Sequence, residues 1–296
     1  MTIGDLVEEL VVEFPDGMRR GHVAEARTLR LRGGSAANVA AITCERGGAA
    51  RFVGQVGADA MGDSLTADLR QRGVDTHVIS HGVTGVTVNL LQQGYRTTLV
   101  DRGASSMLAA TDAEVLVGAV QLFVPGRSLM SDPLATAVEG IVTGAMERRV
   151  PTILTGLSAD EVADYGADAF VELVGAVQPD TVIFTRRDHA RLGLEPDQPV
   201  NGSGCTIVIG PERTVVITAE EIHHCEPVPP ATVVDRTGAE DGFVAGYLMS
   251  RRAGATPVAA VDAAHRVMSL VLARAGPTTR GGPFETQPPV LVSRPE

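Results

Sequence analysis

The stretch VVDRTGAEDGFVAGYL, residues 233–248, places two adjacent carboxylates directly after a Gly-Ala pair. Its apolar start, Gly-Ala turn and apolar-periodic end predict a strand, a turn and a helix. The first N–H groups of a helix are unpaired and lie at the positive end of its dipole, so this turn suits an anion such as phosphate. Asp241 at the helix start can accept a proton from a hydroxyl group. Its neighbour Glu240 instead places a negative charge inside the anion site.

Composition limits the classes of partner. The chain has 296 residues and 44% hydrophobic content, enough to bury one large core, with or without a small appendage. A net charge of −11 argues against a surface for nucleic acid or anionic membrane, which would need clustered positive charge. All 25 basic residues are arginine, which excludes lysine chemistry such as Schiff-base formation. We therefore expect a small-molecule partner, with neither nucleic acid nor membrane involved.

The cysteines and the N-terminus bear on localisation. Cys44, Cys205 and Cys225 are far apart in the sequence, and three thiols cannot all pair within one chain. Acidic residues interrupt the first apolar stretch, which is not typical of a signal peptide. These features predict a protein of the reducing cytoplasm.

The order of elements predicts an α/β fold. Residues 33–48 predict a helix that Ser35 can cap, residues 50–57 a buried strand, and residues 59–73 a second helix. A strand followed by a helix, repeated along the chain, favours parallel pairing. Residues 76–103 break this rhythm, because three β-rich pieces separated by glycine turns predict an antiparallel insertion.

Four blocks in this order resemble the ribokinase-like (PfkB) family of sugar and nucleoside kinases. The blocks are GGSAANVA, FVGQVGADAMGDSLTADLRQRGVD, TGVTVNLLQQGYRTTLVDRGA and DRTGAEDGFVAGYL, and the resemblance covers nearly the whole chain. It implies a single α/β domain over residues 1–296, with a doubly wound, mostly parallel sheet flanked by helices. It also implies a small β-sheet lid from residues 9–31 and 76–103, through which similar proteins commonly form homodimers.

The resemblance implies an ATP- and Mg²⁺-dependent kinase that phosphorylates a hydroxyl of a small sugar, nucleoside or related polyol. Asp241 matches the aspartate that accepts the hydroxyl proton, and Gly238, Ala239 and Glu240 match the backbone anion hole. Taken alone, Asp241 is more typical of a first-turn helix carboxylate, and the flanking blocks reverse that preference. The residues that match the acceptor side are Glu9, where the family usually has aspartate, Gly33, Gly34, Asn38 and Gly126.

Further positions match the nucleotide side of the family. They are Arg186, Gly210, Arg213 and His265, of which His265 is similar to a histidine that touches the adenine ring. Asp235 looks like the ligand of a monovalent cation in some members. Read singly, His265 is an ordinary helix residue and Asp235 an ordinary strand-end carboxylate.

Three features of the nucleotide side depart from the family pattern. Glu240 replaces a glycine, Arg186 and His189 stand at the two positions of an Asn-x-x-Glu motif, and Arg213 replaces the second glycine of a Gly-x-x-Gly loop. A carboxylate about 4 Å from a phosphate oxygen costs roughly 4 kcal/mol at an effective dielectric constant near 20.

The departures leave three hypotheses open. The first is a kinase with an altered donor side. The second is a catalytically degraded member that binds a sugar or nucleoside without transferring phosphate, as a sensor or interaction partner. The third is an enzyme recruited to another reaction on a phosphorylated substrate, with Arg186 and Arg187 as anion clamps.

Overall fold

The computed structural model describes residues 1–14, 21, 23–92, 95–109 and 111–280. Parts of the predicted lid, residues 15–20, 22, 93 and 94, lie outside these ranges. Thirteen strands are described: β1 (Thr2–Ile3), β2 (Val7–Glu13), β3 (Arg27–Gly33), β4 (Arg51–Val56), β5 (Asp75–Ser80), β6 (Thr84–Gln92), β7 (Tyr95–Gly103), β8 (Leu122–Pro125), β9 (Thr152–Thr155), β10 (Thr181–Thr185), β11 (Cys205–Ile209), β12 (Thr214–Thr218) and β13 (Ile222–Cys225).

Eight α-helices and three short 3₁₀ helices connect these strands in the described ranges. The α-helices are α1 (Ser35–Glu45), α2 (Ala60–Gln71), α3 (Leu134–Glu147), α4 (Ala159–Tyr165), α5 (Ala167–Val177), α6 (Arg186–Arg191), α7 (Ala239–Arg252) and α8 (Pro257–Leu272). The 3₁₀ helices are Ala104–Met107, Ala113–Leu116 and Gly126–Leu129.

The larger sheet has nine strands in the order β13-β12-β11-β10-β9-β8-β1-β4-β5. All its pairings from β11 to β5 are parallel, and β12 and β13 add antiparallel strands at one edge. Parallel strands covered on both faces are apolar along their length, and β10 and β11 are buried at nearly every position.

Alternate residues of these strands point into two separate cores. Phe123 and Ile183 pack with α1, α7 and α8 on one face, whereas Val124 and Val182 pack with α3 and α5 on the other. The predicted doubly wound, mostly parallel architecture is therefore confirmed. In the described part of the chain, no helix has the length and apolar character needed to cross a bilayer.

The smaller sheet has the order β3-β2-β6-β7. Along β2, the buried residues Val7, Glu9 and Val11 alternate with the half-buried residues Leu10 and Val12. One face of this sheet is consequently covered and the other is open to solvent. We call this sheet, formed by β2, β3, β6 and β7, the lid.

The lid differs from the sequence prediction in two respects. Residues 75–80, which the sequence analysis places largely in the lid, form β5, the edge strand of the large sheet, parallel to β4. Within the lid, β2 pairs with β6 in parallel, so the insertion is not wholly antiparallel. The misplacement of β5 has a physical reason. An edge strand pairs on one side only and has much of its surface in solvent, so β5 shows the polar alternation typical of a lid strand.

Candidate active site

A cavity of about 440 Å³ lies between the lid and the large sheet. Pro125, Thr155 and Thr185, the last residues of β8, β9 and β10, line its floor. Ligand sites of open α/β sheets lie outside the carboxyl ends of the parallel strands, where helices begin. The starts of α1 and α7 both reach this cavity.

The start of α7 depends on a glycine. Gly238 is the N-cap residue and has a φ of 74°, in the left-handed region. A Cβ atom at this position would lie 2.4 Å from Cβ of Pro277. Residue 238 therefore has no room for a side chain, and the turn brings Ala239, Glu240 and Asp241 to the cavity wall.

Asp241 holds two hydrogen bonds from the start of α1. Its Oδ1 accepts from Oγ of Ser35 at 2.5 Å, and its Oδ2 accepts from Nδ2 of Asn38 at 2.9 Å. Burial raises the pKa of Asp241, while these bonds and the charge of Arg32 oppose that rise. Each carboxylate oxygen has a further lone pair, so an oriented Asp241 can still accept a proton from a hydroxyl in the cavity.

The approach of α1 to the cavity depends on Gly34. This residue has a φ of 97°, and a Cβ atom on it would lie 2.1 Å from the carbonyl oxygen of Asp5. Gly34 is the N-cap residue of α1 and Ser35 its first residue. The prediction that Ser35 caps this helix is therefore wrong, because its hydroxyl donates to Asp241 instead.

The lid contributes a buried polar network to the opposite wall. Glu9 on β2 is 7% exposed, and its Oε1 accepts a hydrogen bond of 2.6 Å from Nδ2 of Asn89. Oδ1 of Asn89 accepts in turn from Nε of Arg96 at 2.8 Å. Burial, with repulsion from Asp235 and Asp241, raises the pKa of Glu9 to about 7, although Arg96 opposes the rise.

Glu240 is exposed to the cavity, whose wall it shares with Asp188 and Asp241. Loss of hydration in this cleft, with repulsion from Asp188 and Asp241, raises the pKa of Glu240 to about 7. This end of the cavity therefore carries an excess of negative charge. The expected repulsion between Glu240 and a phosphate donor stays a prediction.

Thr185 and Asp188 form the opposite side of this acidic end. Oγ1 of Thr185 donates to Oδ2 of Asp188 at 2.5 Å, and Oδ1 of Asp188 accepts from the backbone N–H of Ala159 at 2.7 Å. Burial raises the pKa of Asp188. Both side chains line the cavity, so an oxygen-bearing pair three residues apart is present at the end of β10.

Comparison with known proteins identifies the family of this chain. The model of the pfkB family of carbohydrate kinases matches residues 3–193 and 203–282. The chain belongs to the pfkB family. A fructokinase of Escherichia coli is 27% identical over 273 residues, which cover 83% of this chain and 82% of the relative.

Solved structures share the fold of this pfkB-family chain. An adenosine kinase from Sinorhizobium meliloti superposes with a TM-score of 0.81 and 21% identity, covering 94% of both chains. A protein of E. coli described as a ribokinase II, in complex with ATP and Mg²⁺, gives a TM-score of 0.78 and 21% identity, covering 93% of both chains. The predicted family and fold class are thereby confirmed.

Thr185 and Asp188, two residues with a spacing of three, face the cavity at the end of β10. The predicted Asn-x-x-Glu positions, Arg186 and His189, lie one residue later, and neither lines the cavity. His189 is fully buried, with its Nε2 3.0 Å from the carbonyl oxygen of Gln198. The match of Arg186 and His189 to the family motif stays a prediction.

Three of the predicted nucleotide-side residues lie together, beyond the lining of this cavity. The backbone N–H of Gly210 donates to the carbonyl oxygen of Arg213 at 3.1 Å, which closes the turn between β11 and β12. The guanidinium group of Arg186 is so close that a Cβ atom on Gly210 would lie 2.8 Å from it. The structure therefore places Arg186 at this turn, and its nucleotide contact stays a prediction.

The other predicted positions have structural partners. Gly126 is buried, and a Cβ atom on it would lie 2.5 Å from the carbonyl oxygen of Thr155, so its neighbours line the cavity instead. His265 is 2% exposed, with Nε2 2.9 Å from Oγ1 of Thr214. Asp235 is 5% exposed and accepts hydrogen bonds from the backbone of residues 237 and 276. Their predicted ligand contacts stay predictions.

Several cavity residues are absent from the sequence prediction. Thr87 and Arg96 come from the lid, and Arg127 pairs with Glu161 at the start of α4. The Ser158-x-x-Glu161 spacing is a capping-box signal that a sequence can reveal, and the box is present. Its place beside the cavity depends on the packing of α4 on the sheet, for which no local signal exists.

Among the residues that the structure describes, no three His, Cys, Asp or Glu side chains are grouped to hold a metal ion on their own. Magnesium differs from such metals, because it is commonly bound by one or two carboxylates together with substrate phosphates and water. The acidic end of the cavity fits this mode, because a cation there would offset both the loss of hydration and the repulsion from Asp188 and Asp241 that raise the pKa of Glu240. Asp188 and Glu240 are the residues that would hold it.

Proposed function

We propose that this protein transfers a phosphoryl group from ATP to a hydroxyl of a small sugar or nucleoside. The observation that carries the proposal is Asp241, whose two oxygens are held by Ser35 and Asn38 beside an open cavity at a helix start. The names of related proteins, a fructokinase and an adenosine kinase, support this class of acceptor.

The chain's own groups define one order of events. The acceptor lies between the lid and α1, where Glu9 and Asn38 can bind its other hydroxyls. Its reacting hydroxyl oxygen attacks the terminal phosphorus of ATP and loses its proton to Asp241, and the bond to ADP breaks. The unpaired N–H groups at the start of α7 stabilise the charge on the transferred group.

Magnesium, when bound with ATP, supplies positive charge that neutralises the phosphate oxygens during transfer. In this chain Asp188 and Glu240 would hold it, and without it their carboxylates would repel the nucleotide. Support for this donor comes from the related structure solved with ATP and Mg²⁺.

The proposal is tested by incubating the protein with ATP, Mg²⁺ and a panel of ketohexoses, pentoses and nucleosides. We expect ADP to be released with one acceptor class only, and the product to gain one phosphoryl group by mass spectrometry. Asp241→Asn should abolish both signals, while Asp63→Asn, an exposed first-turn aspartate of α2, should leave them unchanged. Absence of product with every acceptor, despite bound ATP, would overturn the proposal.

Glu240 favours a second candidate, a protein that binds the acceptor without transferring phosphate. Its carboxylate shares the cavity wall with Asp188 and Asp241, at the end where a phosphate donor would lie. Calorimetry separates the two candidates. A kinase binds both MgATP and acceptor, whereas the second candidate binds acceptor alone, and Glu240→Gly would then restore nucleotide binding.

We also propose that two copies associate through the open face of the lid. Because Glu9 faces the cavity, Leu10 and its partners Val88 and Leu99 lie on the opposite face, and Leu99 is 55% exposed. An apolar strip of this kind favours a partner. Leu99→Asp should convert a dimer into a monomer in light scattering, and a wild-type monomer would exclude this assembly.

Two further expectations complete the proposal. All three cysteines are unpaired and buried, which fits a cytoplasmic protein. We propose that Asp235 binds a monovalent cation, because each of its carboxylate oxygens accepts one backbone hydrogen bond and has a further lone pair. Replacing K⁺ by a large organic cation should then slow the reaction, and an unchanged rate would remove the cation from the proposal.

A further inference from the structure

Arg32 is a buried arginine that joins three separate parts of the chain. Its side chain is 4% exposed, at the end of β3 where the lid meets the large sheet. Nε donates to Oδ1 of Asn38 at 3.1 Å, one terminal nitrogen donates to Oδ2 of Asp68 at 2.5 Å, and the other donates to the carbonyl oxygen of Pro277 at 2.9 Å.

The bond to Asn38 fixes which way its amide group faces. An amide has an oxygen that only accepts and a nitrogen that only donates. A guanidinium group only donates, so the oxygen of Asn38 must face Arg32. The nitrogen then faces Oδ2 of Asp241, which can only accept while it is ionised. In the reverse orientation, the amide nitrogen would face the donor of Arg32 and the amide oxygen would face the acceptor of Asp241, so neither hydrogen bond could form.

We infer that Arg32 is a positioning residue for phosphoryl transfer, acting through the amide of Asn38 on the carboxylate of Asp241. The inference rests on the proposed function and adds a residue that touches neither substrate. With Arg32 in place, the Asn38 amide donates to Asp241 and holds it in one orientation. Without Arg32, the amide can rotate, and Asp241 loses a donor.

Arginine is required for this role because its donors form a rigid fork. Three acceptors on α1, α2 and the segment after α8 are engaged at once, which a lysine ammonium on its flexible stem does not reproduce. The charge of Arg32 is balanced by Asp68, which also accepts from Arg72. Asp68 therefore holds the guanidinium group of Arg32 from the side away from the cavity.

The neighbouring Arg30 offers a matched control. It lies two residues earlier on β3, but its side chain is 67% exposed and pairs with Glu8 at 2.7 Å. Neither residue of this pair lines the cavity around Asp241. A change at Arg30 alters the charge of the same strand without reaching Asn38.

The test is a double-mutant cycle on kcat. Arg32→Met should lower kcat about tenfold to a hundredfold, the effect of losing a hydrogen bond to a charged group, with KM for ATP changed less than threefold. In an Asn38→Ala background, Arg32→Met should lower kcat by less than threefold more. Arg30→Met should stay within twofold in both backgrounds.

If Arg32→Met lowered kcat by the same factor in the wild type and in the Asn38→Ala background, the inference would be overturned, because Arg32 would then act independently of Asn38. An unchanged kcat in Arg32→Met would overturn it as well. Should Arg32→Met fail to fold, Arg32→Lys keeps the positive charge and the partner Asp68. It is expected to show the same tenfold or greater loss and the same non-additivity.

A readout without turnover separates this inference from the proposed function. NMR can follow the side-chain amide signals of Asn38, whose Nδ2 donates to Asp241 and whose Oδ1 accepts from Arg32. We expect Arg32→Lys to shift these signals and to speed the exchange of the amide protons with solvent, and Arg30→Met to leave both unchanged. Wild-type signals and exchange in Arg32→Lys would overturn the inference even if the protein proves to be a kinase.

Discussion

The two ends of the cavity are built differently. At the acceptor end, Asp241 is held by two hydrogen bonds, and the amide that provides one of them is itself held by Arg32. At the end assigned to the donor, Glu240 lies beside Asp188 and Asp241, and loss of hydration with repulsion from these two carboxylates raises its pKa to about 7. At the first end, groups of the chain itself provide the hydrogen-bond partners of Asp241. At the second end, neighbouring carboxylates give an excess of negative charge.

This difference indicates where each substrate gains its binding energy. A neutral acceptor meets groups already in position, so little ordering is needed when it binds. A phosphate donor meets carboxylates that repel it unless a cation enters with it. Under the proposed function we therefore expect nucleotide binding to depend on the metal, and changes at the two ends to affect different measurements.

The largest effect is expected at the acceptor end. Asp241→Asn removes the proton acceptor while preserving its shape, so kcat should fall by a factor of about 10² to 10⁴. KM for the acceptor should change little, because the hydrogen bonds of the other groups remain. Steady-state kinetics, with the thermal midpoint as a check on folding, measures both. A variant with more than a tenth of the wild-type kcat would show that Asp241 is not the base.

At the donor end, Glu240→Gln removes one like charge. Without Mg²⁺, ATP should bind about tenfold more tightly to the variant than to the wild type, because a repulsive Coulomb term is lost. Added Mg²⁺ should improve binding more in the wild type than in the variant. Calorimetric titration measures this, with the exposed Glu147→Gln as the matched control. Equal affinities with and without the metal would show that Glu240 lies outside the donor site.

On the lid side of the cavity, Glu9 should make the stability of the protein depend on pH. Glu9 has an ordinary pKa of 4.5 that folding raises to about 7, so the folded chain holds this proton more tightly. Its stabilising contribution is complete below pH 4.5 and is lost as the pH rises to 7. Above pH 7, Glu9→Gln should therefore be more stable than the wild type by about 2 kcal/mol, a rise in Tm of about 5 °C.

Near pH 4.5, the Glu9→Gln variant and the wild type should melt at nearly the same temperature. Scanning calorimetry across the pH range measures the difference, with the exposed Glu139→Gln as control. A difference in Tm that does not change with pH would contradict the assignment of this titration to Glu9.

The smallest effect is expected from Thr185→Ala at the donor end. Thr185 caps α6, and its loss should cost about 1 kcal/mol of unfolding free energy, a fall in Tm of about 2–4 °C. Asp188 would keep its bond from Ala159, so the donor end should remain in place. Chemical denaturation measures the change, and a loss above about 3 kcal/mol would mean that Thr185 does more than cap the helix.

The local patterns of the sequence predict much of this protein. Alternating strands and helices indicate the parallel sheet, and the glycine-containing turns before α1 and α7 indicate the two segments of the acceptor end. Errors occur where local pattern is ambiguous. An edge strand such as β5 has the polar alternation of a lid strand, and the exact end of β10 decides whether residues 185 and 188 or 186 and 189 face the cavity.

The amino-acid sequence by itself determined the parts that depend on single residues: a glycine at 34 and 238, where positive φ and close contacts exclude side chains, and an aspartate at 241. Only the tertiary structure decided which of these parts meet. Asn38 and Asp241 lie 203 positions apart, and the order of the sheet brings them within 2.9 Å. Such a contact has no periodicity or spacing that predicts it, because its geometry is fixed by the packing of α1 and α7 on the same face.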